Sequence, residues 1–225
     1  MKIVAVIPAY NEERNIGKVI RDVKPRLSEV IVVDDGSSDA TGDVAVSSGA
    51  HALTHRINRG QGAALRTGTE FALRRMDADI VVHYDADGQH AAEEIDDMVK
   101  PILLGGVDVV LGSRFLKPGT NVPFFRKVVL KGGIIFTRFT SGLRVTDTHN
   151  GFRAFSRAAA EKIKISQDRM AHASEIFDQI AKNNLRFCEV PVTIRYTKES
   201  RQKGQSSLNS FRIVLDYFVG RLFKS

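Results

Sequence analysis

The sequence has almost no cysteine and no long apolar run. Cys188 is the single cysteine among 225 residues, so an internal disulfide cannot form, and a reducing compartment fits this composition. No apolar run approaches the roughly 18 residues that a membrane-spanning helix needs. The first residues run directly into a strand pattern, without a signal peptide. We therefore expect a cytoplasmic protein that is free in solution or lies on a membrane surface.

Linkers, internal repeats and low-complexity tracts are also missing, so we expect a single domain over residues 1–225. Its charge is nonetheless unevenly divided. Residues 1–113 carry 12 Lys and Arg against 18 Asp and Glu, whereas residues 114–225 carry 21 against 8. This asymmetry predicts an anionic partner for the second half: nucleic acid, a phosphorylated substrate or anionic lipid. A basic surface that contacts only solvent is the alternative.

Two nucleotide-binding motifs are absent. A dinucleotide fold requires G-x-G-x-x-G directly after the first strand, but residues 8–11 read Pro-Ala-Tyr-Asn. A P-loop sequence is missing as well. These absences exclude a dinucleotide-binding fold of that type and a P-loop nucleotide site.

The first half instead alternates short apolar segments with amphipathic ones. The apolar segments, which predict strands, are residues 2–7, 29–33, 50–55, 79–84 and 107–111. Helices are predicted between them, near residues 12–23, 39–48, 58–75 and 91–104. The alternation predicts an α/β fold with a mostly parallel central sheet flanked by helices. Pro8 is expected to end the first strand.

An acidic pair follows the fourth predicted strand. Asp85 and Asp87 stand two residues apart, and the amide of Gln89 comes two residues later. Oxygen ligands of this kind suit hard cations such as Mg²⁺ and Mn²⁺, which are often shared with a substrate phosphate. Polar turn residues in a loop are the alternative interpretation.

Further polar residues follow the other strands. Tyr10 comes after the first strand and can flank a base, and Asp35 comes after the second and can accept hydrogen bonds from a base or ribose. Glycines in residues 58–65 begin a predicted helix, whose N-terminus attracts phosphate. Because ligands bind at the carboxyl ends of strands in open α/β sheets, these groups are expected to meet in one crevice. Ordinary loop and cap chemistry would explain each group alone.

Five motifs in order resemble those of family 2 glycosyltransferases with the GT-A fold. They are residues 8–12 (PAYNE), 34–37 (DDGS), 58–64 (NRGQGAA), 85–90 (DADGQH) and 112–115 (GSRF). The chain is most similar to the dolichyl-phosphate mannose synthase and polyprenyl-phosphate glycosyltransferase branch, over about residues 2–208. The resemblance implies a GDP- or UDP-sugar donor, a Mg²⁺ or Mn²⁺ cofactor and inversion at the anomeric carbon. It makes residues 1–113 the nucleotide-binding half and residues 114–225 the acceptor-side half.

The resemblance also implies roles for individual residues. Those expected at the nucleotide are Pro8, Tyr10, Glu12, Val33, Asp35, Asp85 and Ala86. Those expected at the metal and diphosphate are Asp85, Asp87 and Gln89. Those expected to be catalytic are Asp87, Arg114, Arg126 and Arg201. Cations are needed because negative charge grows on the leaving nucleoside diphosphate.

The acceptor decides whether a general base is required. A phosphate monoester is already a dianion near neutral pH, so dolichyl or polyprenyl phosphate needs no base. A sugar hydroxyl, as in polysaccharide or glycolipid synthesis, needs a carboxylate. Asp147 and Glu175 are the candidates in that case, and His149 and His172 are weaker ones.

Two apolar and basic stretches favour the lipid phosphate. One is residues 124–139, and the other repeats apolar residues at Leu208, Phe211, Leu215, Phe218 and Leu222. Both predict amphipathic helices that lie on a membrane surface, the second at the C-terminus, so we expect a peripheral protein on the cytoplasmic face. Packing onto the sheet or a homodimer seam is the alternative.

Two further expectations concern the end of the chain. Residues 201–208 resemble the family's basic loop over the donor, which could close on substrate. The sequence ends at Ser225 without the membrane-spanning helices of many relatives, so attachment by a separate anchor protein or as a homodimer is left open.

A nucleic-acid-binding module is the remaining alternative. RNA readers generally present stacking aromatic residues in a sheet, whereas the aromatic residues here fall in the amphipathic stretches. We therefore expect no nucleic-acid partner.

Overall fold

Strands and helices alternate along most of the described chain. The computed structural model describes residues 1–117, 132–135, 137–138 and 141–195. Its strands are β1 (Ile3–Ala9), β2 (Glu29–Asp34), β3 (His51–Thr54), β4 (Ile80–His83), β5 (Val109–Ser113), β6 (Arg153–Ser156) and β7 (Phe187–Pro191). Its helices are α1 (Glu13–Val23), α2 (Thr41–Ser47), α3 (Gln61–Arg75), α4 (Ile95–Leu103), α5 (Arg157–Lys162) and α6 (His172–Lys182). Short 3₁₀ turns at Lys24–Arg26 and Ala92–Glu94 complete the described elements.

All the described strands belong to one sheet, in the order β3-β2-β1-β4-β6-β5-β7. β6 runs antiparallel to β4 and β5, and the other neighbouring pairs are parallel. The predicted α/β fold with a mostly parallel sheet is therefore confirmed. The five strands expected in the first half are present, whereas β6 and β7 were not foreseen.

Alternate residues of the buried strands supply the two faces of the sheet. In β1, Val4 and Val6 belong to one core, and Ala5 and Ile7 belong to the other; all four side chains are fully buried. The core that contains Ala5 is completed by apolar residues of α1 and α4, and the opposite core by residues of α3, α5 and α6. Helices thus cover both faces of the sheet.

The prediction that Pro8 ends the first strand was wrong, because β1 continues to Ala9. Its position explains why proline is tolerated. The carbonyl of Val6 accepts a bond from Tyr84 on the β4 side, and by alternation the nitrogen of Pro8 also faces that side. β4 has already ended at His83, so the missing N–H of proline removes no ladder bond.

Several predicted features lie outside the described residues. These are Arg126, Arg201, residues 201–208 and the C-terminal amphipathic helix. Within the part of the chain that the structure describes, no helix combines the length and the apolar character required to span a membrane.

Candidate active site

The strand order reverses around β1. β2 and β3 lie on one side of β1, and β4 lies on the other. In open α/β sheets, ligands bind at such a switch point beyond the carboxyl ends of the strands. A crevice of about 320 Å³ occupies that place. It is lined by Pro8, Ala9, Tyr10, Glu12, Asp35, Gln61, Ala64, Asp85, Ala86, Asp87 and Met170.

The crevice brings together most of the residues expected at the nucleotide and the metal. Two of them do not line it. Val33 is fully buried in the core beneath α3, so only its backbone could reach a nucleotide. Gln89 instead bonds to Asp87, to which both its backbone N–H and its side-chain amide donate.

The first two loops of the crevice are fastened to each other. Asn11 adopts a left-handed backbone conformation with φ 54°. Its N–H donates to Ser37 Oγ at 2.9 Å, and its side-chain oxygen accepts from the N–H of Ser38 at 2.9 Å. Next to these hydrogen bonds, Tyr10 is 48% exposed. An exposed aromatic ring beside the crevice can stack on a base.

Asp35 is a buried carboxylate that organises the neighbouring loop. Its Oδ1 accepts from the backbone N–H of Arg59 at 3.0 Å and bonds to Nδ1 of His55 at 2.7 Å. Its Oδ2 accepts from the N–H of Gly60 at 2.6 Å. These bonds fix Asp35 at the edge of the crevice, and they occupy part of the hydrogen-bonding capacity that a nucleoside would use.

Asp85 is held from two sides. Gln61 Nε2 donates to its Oδ1 at 3.0 Å, and His90 Nε2 lies 3.0 Å from its Oδ2. A Cβ on Gly151 would lie only 2.5 Å from these oxygens, so glycine is needed there. Burial alone would raise the pKa of Asp85, but the bond to His90 and the nearby charge of Arg153 lower it.

Asp87 shows the opposite behaviour. Burial raises its pKa, and the negative charge of Asp85 raises it further. The charge of Asp85 therefore opposes the ionisation of Asp87. A bound cation would relieve this repulsion.

The pair fits a metal that is shared with a substrate. Within the described ranges, no group of three or more His, Cys, Asp or Glu side chains could hold a metal ion by itself. Mg²⁺ in phosphate-transfer sites typically takes one or two carboxylates, with phosphate oxygens and water completing its shell. Asp85 and Asp87 match that ligand set, and Gln89 is placed to hold Asp87 in position.

Arg114 is ion-paired with Asp147 rather than free. Its Nε donates to Asp147 Oδ2 at 2.6 Å, and both side chains are almost fully buried. Its Nη2 also donates to the carbonyl of His149 at 3.0 Å. Asp147 Oδ1 accepts from the N–H of His149 at 3.2 Å. The carboxylate suggested as a base for a hydroxyl acceptor is thus already engaged.

Glu175, the other suggested base, holds a loop. Its Oε2 accepts from the N–H groups of Ser166 and Gln167 at 2.8 and 2.9 Å, and its Oε1 bonds to Ser166 Oγ. The carboxylate therefore fixes the segment before α6, and it does not line the crevice.

The glycines at the start of α3 serve close packing. The N–H of Ala63 donates to the carbonyl of Asp168 at 3.0 Å. A Cβ on Gly62 would lie 2.0 Å from the carbonyl oxygen of Gln167. The segment around Asp168 therefore covers this helix N-terminus, and phosphate does not have the open access that the sequence suggested.

A set of buried basic groups lies behind Asp85; of these, sequence reasoning had named only His172, as a weak candidate base. Arg153 is 2% exposed, and its guanidinium lies 5.4 Å from the ring centroid of Phe177. Burial, followed by the charge of Arg153, lowers the pKa of His83 to about 3 and that of His172 to about 4. Both histidines are thus neutral at pH 7. The only available signal was their unusual position in apolar segments.

Comparison with known proteins assigns the family. The profile described as Glycosyl transferase family 2 matches residues 4–164. The UDP-N-acetylglucosamine–dolichyl-phosphate N-acetylglucosaminyltransferase of Methanococcus voltae is 33% identical, over 94% of this chain and 92% of that protein. The polyprenol monophosphomannose synthase of Mycolicibacterium smegmatis is 32% identical, over 94% of this chain and 83% of that protein.

A solved structure supports the fold assignment. Glucosyl-3-phosphoglycerate synthase from Mycobacterium tuberculosis, in complex with Mn²⁺, UDP-glucose and phosphoglyceric acid, superposes with a TM-score of 0.67. The alignment covers 97% of this chain and 79% of that chain, at 22% identity. At this identity the likeness concerns the fold, which is GT-A.

The protein is therefore a glycosyltransferase. Because the family profile spans more than half of the sequence, the chain belongs to glycosyl transferase family 2.

Proposed function

We propose that this enzyme transfers a hexose from a GDP- or UDP-sugar to dolichyl or polyprenyl phosphate, with inversion at the anomeric carbon and with Mg²⁺ or Mn²⁺ as cofactor. The observation that carries the proposal is the Asp85–Asp87 pair in the crevice at the switch point of the sheet. Because the charge of Asp85 opposes the ionisation of Asp87, the pair would gain from a cation bound together with a diphosphate.

The donor side of the proposal rests on the residues around that pair. Tyr10 and Asp35 line the same crevice as Asp87, so a base and ribose at one end would place the diphosphate towards the other. A divalent cation there would neutralise the charge that develops on the leaving nucleoside diphosphate. A structure of the same fold, the mycobacterial glucosyl-3-phosphoglycerate synthase, holds Mn²⁺ together with UDP-glucose, which supports a metal and a nucleotide sugar bound to one protein of this fold.

The acceptor side rests on the engaged carboxylates. Asp147 is paired with Arg114, and Glu175 holds two backbone N–H groups. Neither lines the crevice that contains Asp87, so neither is placed there to take a proton from a sugar hydroxyl. A phosphate acceptor is consistent with this, because its dianion can attack without a base. Both relatives described above carry a polyprenyl or dolichyl acceptor in their names.

An apolar cavity beside Arg114 supports a lipid acceptor. It measures about 400 Å³ and is lined by Phe115, Ile134, Ile135, Val145 and Thr146. Phe115 directly follows Arg114 in the chain, and Thr146 directly precedes its partner Asp147. The apolar lining of this cavity suits the hydrocarbon chain of a lipid acceptor.

Arg126, Arg201 and the C-terminal amphipathic helix complete the proposal as predictions. The two arginines would join Arg114 at the phosphates. The helix would hold the enzyme at the cytoplasmic face of the membrane, with a separate anchor protein or a second copy of the chain as further means of attachment.

The test is to offer one radiolabelled nucleotide sugar with polyprenyl phosphate, polyprenol and oligosaccharides in parallel, with Mn²⁺ or with excess chelator. GDP- and UDP-sugars are first screened by thermal shift, because a ligand that binds only the folded state raises its stability. We expect label in the polyprenyl phosphate alone, and only with metal.

Two results would contradict the proposal. Label in the oligosaccharide alone, abolished by Asp147→Asn or Glu175→Gln, would favour transfer to a hydroxyl. Undiminished transfer in excess chelator would contradict the proposed metal dependence.

A further inference from the structure

The segment between α5 and α6 forms a rigid wall against the start of α3. We call residues 165–170 the Asp168 loop. Glu175 holds it from the α6 side, through the N–H groups of Ser166 and Gln167. On the α3 side, Arg66 Nη1 donates to the carbonyl of Ile165 at 3.2 Å. The loop is therefore fixed at its beginning from two directions.

Asp168 fastens the middle of this loop. Its Oδ1 accepts from Arg66 Nη2 at 2.8 Å, and its Oδ2 accepts from Arg59 Nη2 at 3.1 Å. Its backbone carbonyl accepts from Ala63 at 3.0 Å. Burial would raise the pKa of Asp168, but the bonds from the two arginines hold it below its usual range. The carboxylate is thus charged at neutral pH, and both its oxygens are engaged.

Arg59 connects the Asp168 loop to Asp35, which lines the crevice. Its backbone N–H donates to Asp35 Oδ1 at 3.0 Å, while its side chain reaches Asp168. Asp35 and Met170 both line the crevice. A displacement of Asp168 would consequently change the positions of both Asp35 and Met170.

Met170 has a special place among the crevice residues. It is the one contribution from beyond residue 113 among the described residues that line the crevice. It also lies outside residues 4–164, the stretch that the family profile matches. The polar residues of the crevice come from that shared stretch. Met170 places a long apolar side chain beside these polar residues, where its volume can decide which donors fit.

We propose that Met170 selects the donor by filling part of the crevice, and that Asp168 is the positioning residue that holds it there. The inference rests on the proposed function, since it assigns a selecting residue to the same nucleotide-sugar site. A methionine side chain is apolar and flexible, so it discriminates by shape and volume. One methylene in an apolar pocket changes discrimination by roughly 10-fold or more.

The first experiment measures the dissociation constants of UDP, GDP, UDP-glucose, UDP-N-acetylglucosamine and GDP-mannose with Mn²⁺. Wild type is compared with Met170→Ala and with Leu103→Ala. Leu103 is a 43% exposed apolar residue of α4 that does not line the crevice. We expect the ratios between donors to change roughly 10-fold in Met170→Ala and to stay unchanged in the control.

The outcomes separate this inference from the proposed function. Donor ratios in Met170→Ala equal to those of wild type would overturn the inference alone. If wild type bound none of the nucleotides, the proposed function would fail, and the inference would fall with it.

The second experiment tests Asp168→Asn against Asp77→Asn. Asp77 also pairs with an arginine, Arg157, but its side chain is 91% exposed. We expect Asp168→Asn to raise the donor KM roughly fivefold, because one charge-assisted bond is lost, and to leave kcat within about twofold. Backbone amide exchange in the Asp168 loop should become faster. A donor KM and loop exchange equal to those of Asp77→Asn would overturn the positioning role.

Discussion

Carboxylates in the crevice and carboxylates in the second half of the chain have different surroundings. Asp85 and Asp87 stand close together, and the charge of one raises the pKa of the other. Asp147 instead faces the guanidinium of Arg114. Glu189 accepts from the N–H groups of Thr146 and Asp147 at 2.8 and 3.2 Å. In the second half, each of these acids already has hydrogen-bond donors, although burial and the charge of Asp147 raise the pKa of Glu189.

The difference teaches which acids can serve a substrate. A carboxylate that is compensated by arginine or backbone N–H groups stabilises the fold. If the carboxylate is removed, the arginine or N–H group loses its partner. A carboxylate that is crowded by another negative charge gains most from a cation that arrives with the substrate. The net charge of each half does not reveal this difference, because the acids that already have partners lie in the basic half of the chain.

The largest effect is expected at the crowded pair. Asp87→Asn should keep the fold but lower transfer by roughly 10³-fold or more, about 4 kcal/mol, because a neutral amide is a poorer ligand for a hard cation. Initial rates at saturating Mn²⁺ measure this, with Asp77→Asn as the surface control. Wild-type activity in Asp87→Asn would contradict the claim that the crevice acids, unlike those of the second half, serve the substrate.

A somewhat smaller effect is expected when the buried ion pair is broken. Asp147→Ala should lower the free energy of unfolding by about 3 kcal/mol, since Arg114 is left as an uncompensated buried charge. Arg114 keeps its bond to the carbonyl of His149, which limits the loss. Urea denaturation measures the change. In the double variant with Arg114→Met, the cost should shrink; a fully additive cost would mean that the two residues do not interact.

The buried histidines predict a loss of stability in mild acid. The pKa of His172 is lowered to about 4 by burial, whereas its usual value is 6.5. His172 therefore becomes protonated below about pH 6.5 in the unfolded chain, but only below about pH 4 in the folded protein. Stability from this group is complete above pH 6.5 and is lost as the pH falls towards 4.

Between pH 7 and pH 5, this single histidine should lower the free energy of unfolding by about 2 kcal/mol. Denaturation curves at the two pH values measure it, and His172→Asn should show a flatter dependence. An equal pH dependence in both proteins would assign the loss to other groups.

The smallest effect is expected at Glu175. Glu175→Gln keeps one acceptor oxygen for the Asp168 loop, so it should cost about 1 kcal/mol of stability and leave transfer within roughly threefold of wild type. A general base removed in this way would cost roughly 10²–10⁴-fold. Transfer assays on the folded variant therefore distinguish the two roles of this carboxylate.

Much of the fold could be predicted because its first half has strong periodic signals. The apolar segments around Val4, Ile31 and Val81 are rich in β-branched residues and fully or almost fully buried, so pattern and structure agree. β6 has only Arg153–Ser156, which opens on a charged residue. The charges of Asp85 and Asp147, both distant in sequence, favour the ionised form of its buried arginine. A four-residue segment with a buried cation carries no periodic signal.

The candidate site was predictable where its chemistry is local. Asp85 and Asp87 stand two residues apart and follow a clear strand, so their place at the sheet edge followed from the pattern. Met170 and Arg153 could not be found in this way. Their positions depend on contacts with α3 and α6, which only the folded chain brings near. The ion pair between Arg114 and Asp147, 33 residues apart, is of the same kind.

The insertion of β6 between β4 and β5 has a consequence for the order in which the protein can be made. β1 to β4 lie within the first 83 residues, so they can pair before the second half of the chain has been synthesised. Val82 must wait for Ala154, and Val110 for Cys188. The pairing of β1 with β4 closes a loop of similar length, since Ile3 faces Ile80, so the order of synthesis and not loop length separates the two groups. The acidic floor of the crevice can therefore form first, while the wall that contains Met170 can be added only after residue 170 has been synthesised.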